Sequence, residues 1–304
     1  MKQPIVWPSD ARSAFAAYET VRGRLPSADF PVTSRLYPSL SEVADHFDGF
    51  ILDAFGVLNL GDTAIPGAVS RMKELRQRGK TLVVLTNAAS YTRGQLLDKY
   101  HRLGFDFSAE EVISSRDVAA ARLGSIAPGA VWAAISADGD TFDDIDADIA
   151  DAIAHPDVLE TADGFLFLST ARWSDQLQDR LIAAMRRRPR PLVIANPDIV
   201  APREKGLSVE PGFFAHRLLD EVQAEVFWFG KPFSGGFDQA IARSGYPAHR
   251  LAMVGDTLHT DVLGGAAAGC GTVLVADHGL FRGHDVFDMI ATSRITPDFV
   301  VRTT

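Results

Sequence analysis

Short apolar runs recur along the chain, each ending in small polar residues and followed by a longer stretch of mixed polarity. Residues 50–52, 81–85, 131–135, 164–168, 192–195, 226–229, 251–254 and 271–276 form these runs. Such runs, bounded by turn formers, suit strands buried on both faces of a parallel sheet, although periodicity alone does not separate them from buried helix segments. Helices are predicted between them, over 69–78, 92–103, 117–123, 175–187, 210–222, 236–243 and from 261 to 269. Gly79, Gly104 and Gly269 stop three of them. Alternating strand and helix predicts an α/β fold, a doubly wound, Rossmann-like parallel sheet with helices on both faces.

The pattern is not continuous. Residues 1–45 carry two capped helix signals, Ser9-Asp10 before residues 11–24 and Ser39-Leu40-Ser41-Glu42 before a helix ending near His46. They predict a helical extension packed on the core. Strand and helix restart after Pro128-Gly129 and return to the first rhythm at 226. This divides the chain into a core of 46–125 and 226–304 and an inserted α/β unit of 126–225. Within the insert lie Asp138, Asp140, Asp143, Asp144, Asp146, Asp148 and Asp151. A calcium loop of the EF-hand kind needs glycine at its sixth and glutamate at its twelfth position, and no register here supplies both. A solvated, acidic helix start is expected instead.

Composition narrows the function. With 30 basic and 39 acidic residues the net charge is -9, which argues against a sequence-independent grip on nucleic acid. No stretch approaches the roughly 20 apolar residues of a membrane span, so no membrane partner is expected. Met1 to Asp10 lacks an apolar segment after a basic start, so no signal peptide is expected. The single cysteine, Cys270, excludes an intramolecular disulfide and suits a reducing, cytoplasmic setting.

Four of the runs end in chemistry. The first delivers Asp53 and then Gly56, a residue that permits a sharp backbone turn. The second ends in Thr86 and Asn87, the run at 226–229 in Lys231, and the run at 251–254 in Asp256 and Asp261. Each has an ordinary alternative: a turn aspartate, a helix cap, a surface lysine. If all four belong to one parallel sheet, their carboxyl ends lie on the same edge, where open α/β sheets bind ligands. Together they supply what phosphoryl transfer requires: a carboxylate nucleophile, carboxylates for a divalent ion, a hydroxyl and amide for phosphate oxygens, and a cation.

The motifs Asp53-Ala54-Phe55-Gly56-Val57-Leu58, Leu85-Thr86-Asn87, Phe229-Gly230-Lys231-Pro232 and Gly255-Asp256-Thr257-Leu258-His259-Thr260-Asp261 stand in that order. They resemble the haloacid dehalogenase (HAD)-like hydrolase superfamily of aspartyl-phosphate-forming phosphatases. The likeness covers residues 48–304 and is to the class (IIA) with a large α/β C2 cap. Ala195-Asn196-Pro197-Asp198 and Pro211-Gly212 resemble the cap signature of its nucleotide- and sugar-phosphate branch. The resemblance implies that Asp53 attacks phosphorus, that Thr86, the Asn87 backbone and Gly56 border the phosphoryl oxygens, and that Lys231 neutralises the acyl phosphate. It implies Mg2+ held by Asp53, the Phe55 carbonyl, Asp256 and Asp261. The 126–225 insert becomes a specificity cap, with Arg172 as a substrate contact beside Trp173, Phe213 and Phe214, aromatics that could equally serve packing. A small phosphorylated metabolite as substrate and a homodimer formed through the caps are also implied.

One position departs from the pattern. The second residue after the nucleophile, usually an aspartate that protonates the leaving group, is Phe55. General acid–base catalysis is typically worth 10²–10⁴-fold, so a slow or specialised phosphatase is expected. Alternatives are a phospho-ligand-binding protein with little turnover, and a phosphotransferase or hydrolase of activated esters. His259 is the one nearby side chain able to titrate near neutrality, but a surface histidine at a helix start is the expected reading.

Overall fold

The structure is a computed structural model that describes residues 7–203 and 206–304. Its principal sheet has seven strands, in the order Arg35–Ser39, Phe299–Thr303, Gly271–Val275, Leu251–Gly255, Gly49–Leu52, Thr81–Thr86 and Val112–Ser114. All neighbouring pairs are parallel. Alternate side chains leave on opposite faces, as the period of a strand requires. Phe50 and Leu52 join one apolar cluster with Met72, Leu75 and Tyr100, whereas Ile51 joins another with Val118, Phe237 and Ala240. Both faces are covered, so the expected doubly wound sheet is present.

Two strands at its margins are absent from the sequence reading, and both are of edge type. Arg35–Ser39 is largely exposed and contains Pro38, which only an edge strand tolerates. Val112–Ser114 has just three residues and closes the opposite edge.

A second, five-stranded parallel sheet runs Val226–Trp228, Leu192–Ile194, Gly164–Phe167, Val131–Ile135, Asp148–Asp151. Two expectations change here. Val226–Trp228 pairs with Leu192–Ile194 and edges this sheet rather than joining the principal one. A short apolar run records burial but not which sheet buries it, because strand pairing is non-local. The acidic stretch is not a helix start: Asp148–Asp151 is the outer edge strand, and Asp140 and Asp144 clasp Arg116. This strand is only partly buried, so it carries no continuous apolar run and the pattern missed it.

The N-terminal helix Ala11–Thr20 has a full capping box, with Asp10 and Ser13 bonding reciprocally. It buries Ala14, Phe15 and Tyr18 in a cluster that includes Phe213 and Phe214 of the insert and Leu258 and Val262 of the core. It therefore packs against both, where the core alone was expected. Residues 1–6 of the predicted extension lie outside the described residues. Among the described residues no helix is long and apolar enough to cross a membrane.

Candidate active site

Register places the chemistry. Val254 pairs with Leu52, and Leu52 with Val84. Stepping just past these residues brings Asp256, Asp53 and Thr86 to one carboxyl edge. The chain leaves Gly49–Leu52 towards Thr81–Thr86 on one side and meets Leu251–Gly255 on the other. Asp53 and Asp256 thus flank the point where strand order reverses, the usual ligand crevice of such sheets. The backbone is drawn tight there. Gly56 has φ +73, and a Cβ on it would lie 2.5 Å from the Cβ of Asp256. Its place is structural: it lets the nucleophile loop touch the acidic one.

Lys231 arrives from the insert side, on the loop after the Val226–Trp228 edge strand. Its Nζ lies 2.5 Å from Asp53 Oδ1 and 2.7 Å from Asp261 Oδ1. The Asn87 side chain fixes that loop: Oδ1 accepts from the Lys231 amide at 2.8 Å, and Nδ2 donates to the Lys231 carbonyl at 3.0 Å. The same Nδ2 donates to Asp198 Oδ1 at 2.8 Å. Asp256 Oδ1 accepts from the Thr257 hydroxyl and Oδ2 from the Leu280 amide, while Asp261 Oδ2 accepts from the Thr257 amide. These bonds orient both carboxylates without neutralising them.

Electrostatics make the site receptive to a further positive charge. Burial, with repulsion from Asp261 added, pushes Asp53 up to about 7 against the opposing pull of Lys231. Burial and the charges of Asp261 and Asp53 push Asp256 well above the carboxylate range. Lys231 is held above its usual range: burial opposes its charge, but the two carboxylates outweigh that. Three buried carboxylates around one ammonium leave an uncompensated charge, which is costly. Oxygen atoms of Asp53, Asp256 and Asp261 lie within 4.8 Å of one another, a hard-oxygen donor set that fits a divalent cation.

These groups line a cavity of about 60 Å³ with Phe55, Thr86, Asn87, Tyr91, Asn196, Asp198, Arg203, Glu210 and Tyr18. The insert therefore closes over the strand edge and walls the cavity opposite Asp53. A larger space of about 770 Å³ adjoins it, sharing Tyr91, Arg203 and Glu210.

Not every expected residue is here. Arg172 pairs with Asp151 at 2.5 Å and reaches Asp138 at 3.5 Å, outside the cavity. A carboxylate of the edge strand Asp148–Asp151 holds it. Trp173 and Phe214 line only the larger space, and Phe213 packs on Trp7. His259 is neither on the surface nor at the cavity. It is fully buried, stacked on Tyr18, with Nε2 2.5 Å from Glu19 Oε1. Burial lowers it to about 4, so it is neutral at pH 7 and replaces no acid. The sequence reading missed Arg203, Tyr18 and Asp198 as lining residues. Asp198 alone had a signal, the Asn-Pro-Asp triplet closing an apolar run.

Comparisons with known proteins identify the fold and the family. A family model described as haloacid dehalogenase-like hydrolase matches residues 50–144, and one described as HAD-hydrolase-like matches residues 228–303. The glycerol-3-phosphate phosphatase of Homo sapiens is 30% identical over 288 residues, covering 84% of this chain and 88% of the relative. The chloroplastic phosphoglycolate phosphatase 1A of Arabidopsis thaliana is 28% identical over 278 residues, covering 85% and 75%. The structure of a p-nitrophenyl phosphatase from Archaeoglobus fulgidus shares the fold, with TM-score 0.70 at 24% identity over 84% of this chain and 96% of that one.

Proposed function

The chain belongs to the haloacid dehalogenase-like hydrolases, and from that premise we propose that it hydrolyses small phosphate monoesters through an aspartyl-phosphate on Asp53. The observation that carries this reading is the Asp53–Lys231–Asp261 ion-pair chain beside Asp256 at the crevice edge. Asp53 has the position and partner of a nucleophile: its carboxylate is aimed by the Ala54 amide at 2.7 Å and held by Lys231. Thr86, buried at the neighbouring strand end, offers a hydroxyl and the amides beyond it to phosphoryl oxygens. Lys231 stays charged throughout and offsets the negative charge that builds on the transferring group.

Magnesium is the cation we assign to the donor set, with Asp53, Asp256, Asp261 and the Phe55 carbonyl as the groups that would hold it. When bound, it would supply counter-charge to the phosphoryl oxygens. Small phosphate esters are the substrate class we favour. Relatives named for glycerol 3-phosphate and phosphoglycolate support the same size class.

The test is phosphate release from glycerol 3-phosphate, phosphoglycolate, sugar phosphates and nucleotides, with magnesium and with chelator. Magnesium-dependent release, greatest for the two-to-three-carbon esters, is expected. Release that chelator leaves intact would refute the metal assignment. Phe55 favours one second reading, a phosphoester-binding protein with little turnover. Saturable binding of these esters without phosphate release would establish it.

A further inference from the structure

Hydrolysis of an alkyl phosphate needs a proton for the departing oxygen, and Phe55 carries none to give. The other ionisable groups of the cavity can be taken in turn. Both carboxyl oxygens of Glu210 are already engaged: Oε1 accepts from Arg203 and Ser208, and Oε2 from Asn196 Nδ2 at 3.1 Å. Tyr18 accepts from the Ile199 amide through its hydroxyl, and burial holds that phenol well above its ordinary range, so it is a poor donor. Lys231 is locked between two carboxylates. Asp198 differs. Its carboxyl comes from the cap wall of the cavity and is fixed at Oδ1 by Asn87 Nδ2, the same nitrogen that braces the Lys231 loop. Among the described residues no other side-chain donor engages it. Its backbone amide donates to Asn196 Oδ1 at 3.0 Å, which sets the turn that presents it.

We propose that Asp198 is the general acid of this enzyme, donating its proton from the cap to the leaving-group oxygen in place of the residue that Phe55 supplants. The inference rests on the phosphatase reading above. In the first step an oxygen of Asp53 forms a bond to phosphorus and the ester P–O bond breaks. The released electron pair takes the Asp198 proton, so that a neutral alcohol leaves. In the second, water attacks phosphorus and its proton passes to the Asp198 carboxylate. The bond from phosphorus to Asp53 breaks, and both carboxyl groups return to their starting states. Protonation before the first step is consistent with the surroundings. Burial pushes Asp198 up to about 8, aided by the charges of Asp53 and Glu210, although Lys231 and the Asn87 bond pull the other way. Because Asp198 stands on the cap, the acid would be delivered only when the cap is closed, coupling proton transfer to exclusion of water.

The experiment is a rapid-mixing measurement of product release in the first turnover, in magnesium buffer, with glycerol 3-phosphate and 4-nitrophenyl phosphate. The aryl group leaves as a stabilised phenolate and needs no acid. Asp198→Asn is expected to lower the ratio of alkyl to aryl first-turnover rates by on the order of 10²-fold or more, in the range of lost general-acid catalysis. Adding Phe55→Asp to Asp198→Asn is expected to restore part of the ratio, which a folding defect could not do. If both rates fall together and the ratio stays within about threefold, Asp198 is only a cap-to-core tie and the proposal is overturned. If the unsubstituted protein turns over neither ester, the phosphatase reading itself fails.

Discussion

Replacing Arg116 with methionine should destabilise the protein far more than an ordinary substitution. The guanidinium is fully buried on the helix Ser115–Ile126 of the core, and it binds two carboxylates of the insert bidentately. Nη1 and Nη2 reach Asp140 at 2.7 and 2.8 Å, and Nε and Nη2 reach Asp144 at 2.7 Å. Nη1 also donates to the Ala89 carbonyl at 3.3 Å, two residues beyond Asn87. The clasp thus joins the phosphate loop to the start of the insert. Removing one partner of a buried ion cluster costs roughly 3–5 kcal/mol, because the remaining charges stay desolvated. The side chain of Asp140 is 5% exposed and that of Asp144 is 25% exposed, so solvent screens part of the second penalty, and the lower half of that range is expected. With an m-value of roughly 3 kcal/mol/M in urea, the unfolding midpoint falls by about 1 M. Urea titration followed by tryptophan fluorescence and circular dichroism measures it. Combining Arg116→Met with Asp140→Asn and Asp144→Asn should recover at least half of the loss, since no unpaired carboxylate remains. A midpoint shift below about 0.3 M, or a triple variant less stable than Arg116→Met, would refute the reasoning.

Gly56→Ala should cost activity before it costs the fold. Its φ of +73 and the 2.5 Å approach to Asp256 force either the nucleophile loop or the acidic loop to move; turnover is expected to drop at least 100-fold, with a loss of roughly 1–3 kcal/mol of stability. Arg172→Ala should leave KM for small phosphate esters within twofold, because Arg172 is paired with Asp151 away from the cavity. In contrast, Arg203→Ala, at the boundary of both cavities, should raise KM by about tenfold or more. Acid should weaken the fold through His216, which is buried against Trp228 and held by burial at about 4. Below its ordinary value near 6.5 the unfolded chain takes up the proton and the folded one does not. Its contribution is therefore intact above pH 6.5 and is lost progressively as pH falls towards 4. About 2 kcal/mol disappears between pH 7.5 and 5, and His216→Phe should remove that part of the pH dependence in denaturant titrations.

Much of the fold and the site was legible because the chemistry demands particular side chains where buried strands end. Asp53, Thr86 and Asp256 follow apolar runs that suit interior strands, and register brings them to one edge. Lys231 was legible as a residue but not by its route: its strand belongs to the second sheet, and pairing between distant segments leaves no local trace. The edge strands Arg35–Ser39 and Asp148–Asp151 were hidden because both are at most partly buried and carry no continuous apolar run. His259 was expected at the surface, yet it is buried. Its environment is set by Phe15, Tyr18 and Glu19, some 240 residues earlier in the chain. Arg203 ends one strand of the antiparallel pair Val200–Arg203 and Gly206–Val209, where sequence alone offers no reason to single it out.

The account stands on Asp53 as the atom that takes the phosphoryl group. The most direct measurement is to quench the protein in acid during turnover of glycerol 3-phosphate with magnesium, digest it, and weigh the peptide that contains residue 53. A phosphate-sized mass increase on that peptide, released by hydroxylamine and absent from Asp53→Asn, is the predicted result. Steady phosphate release with an unmodified peptide, or release that survives Asp53→Asn, would contradict it.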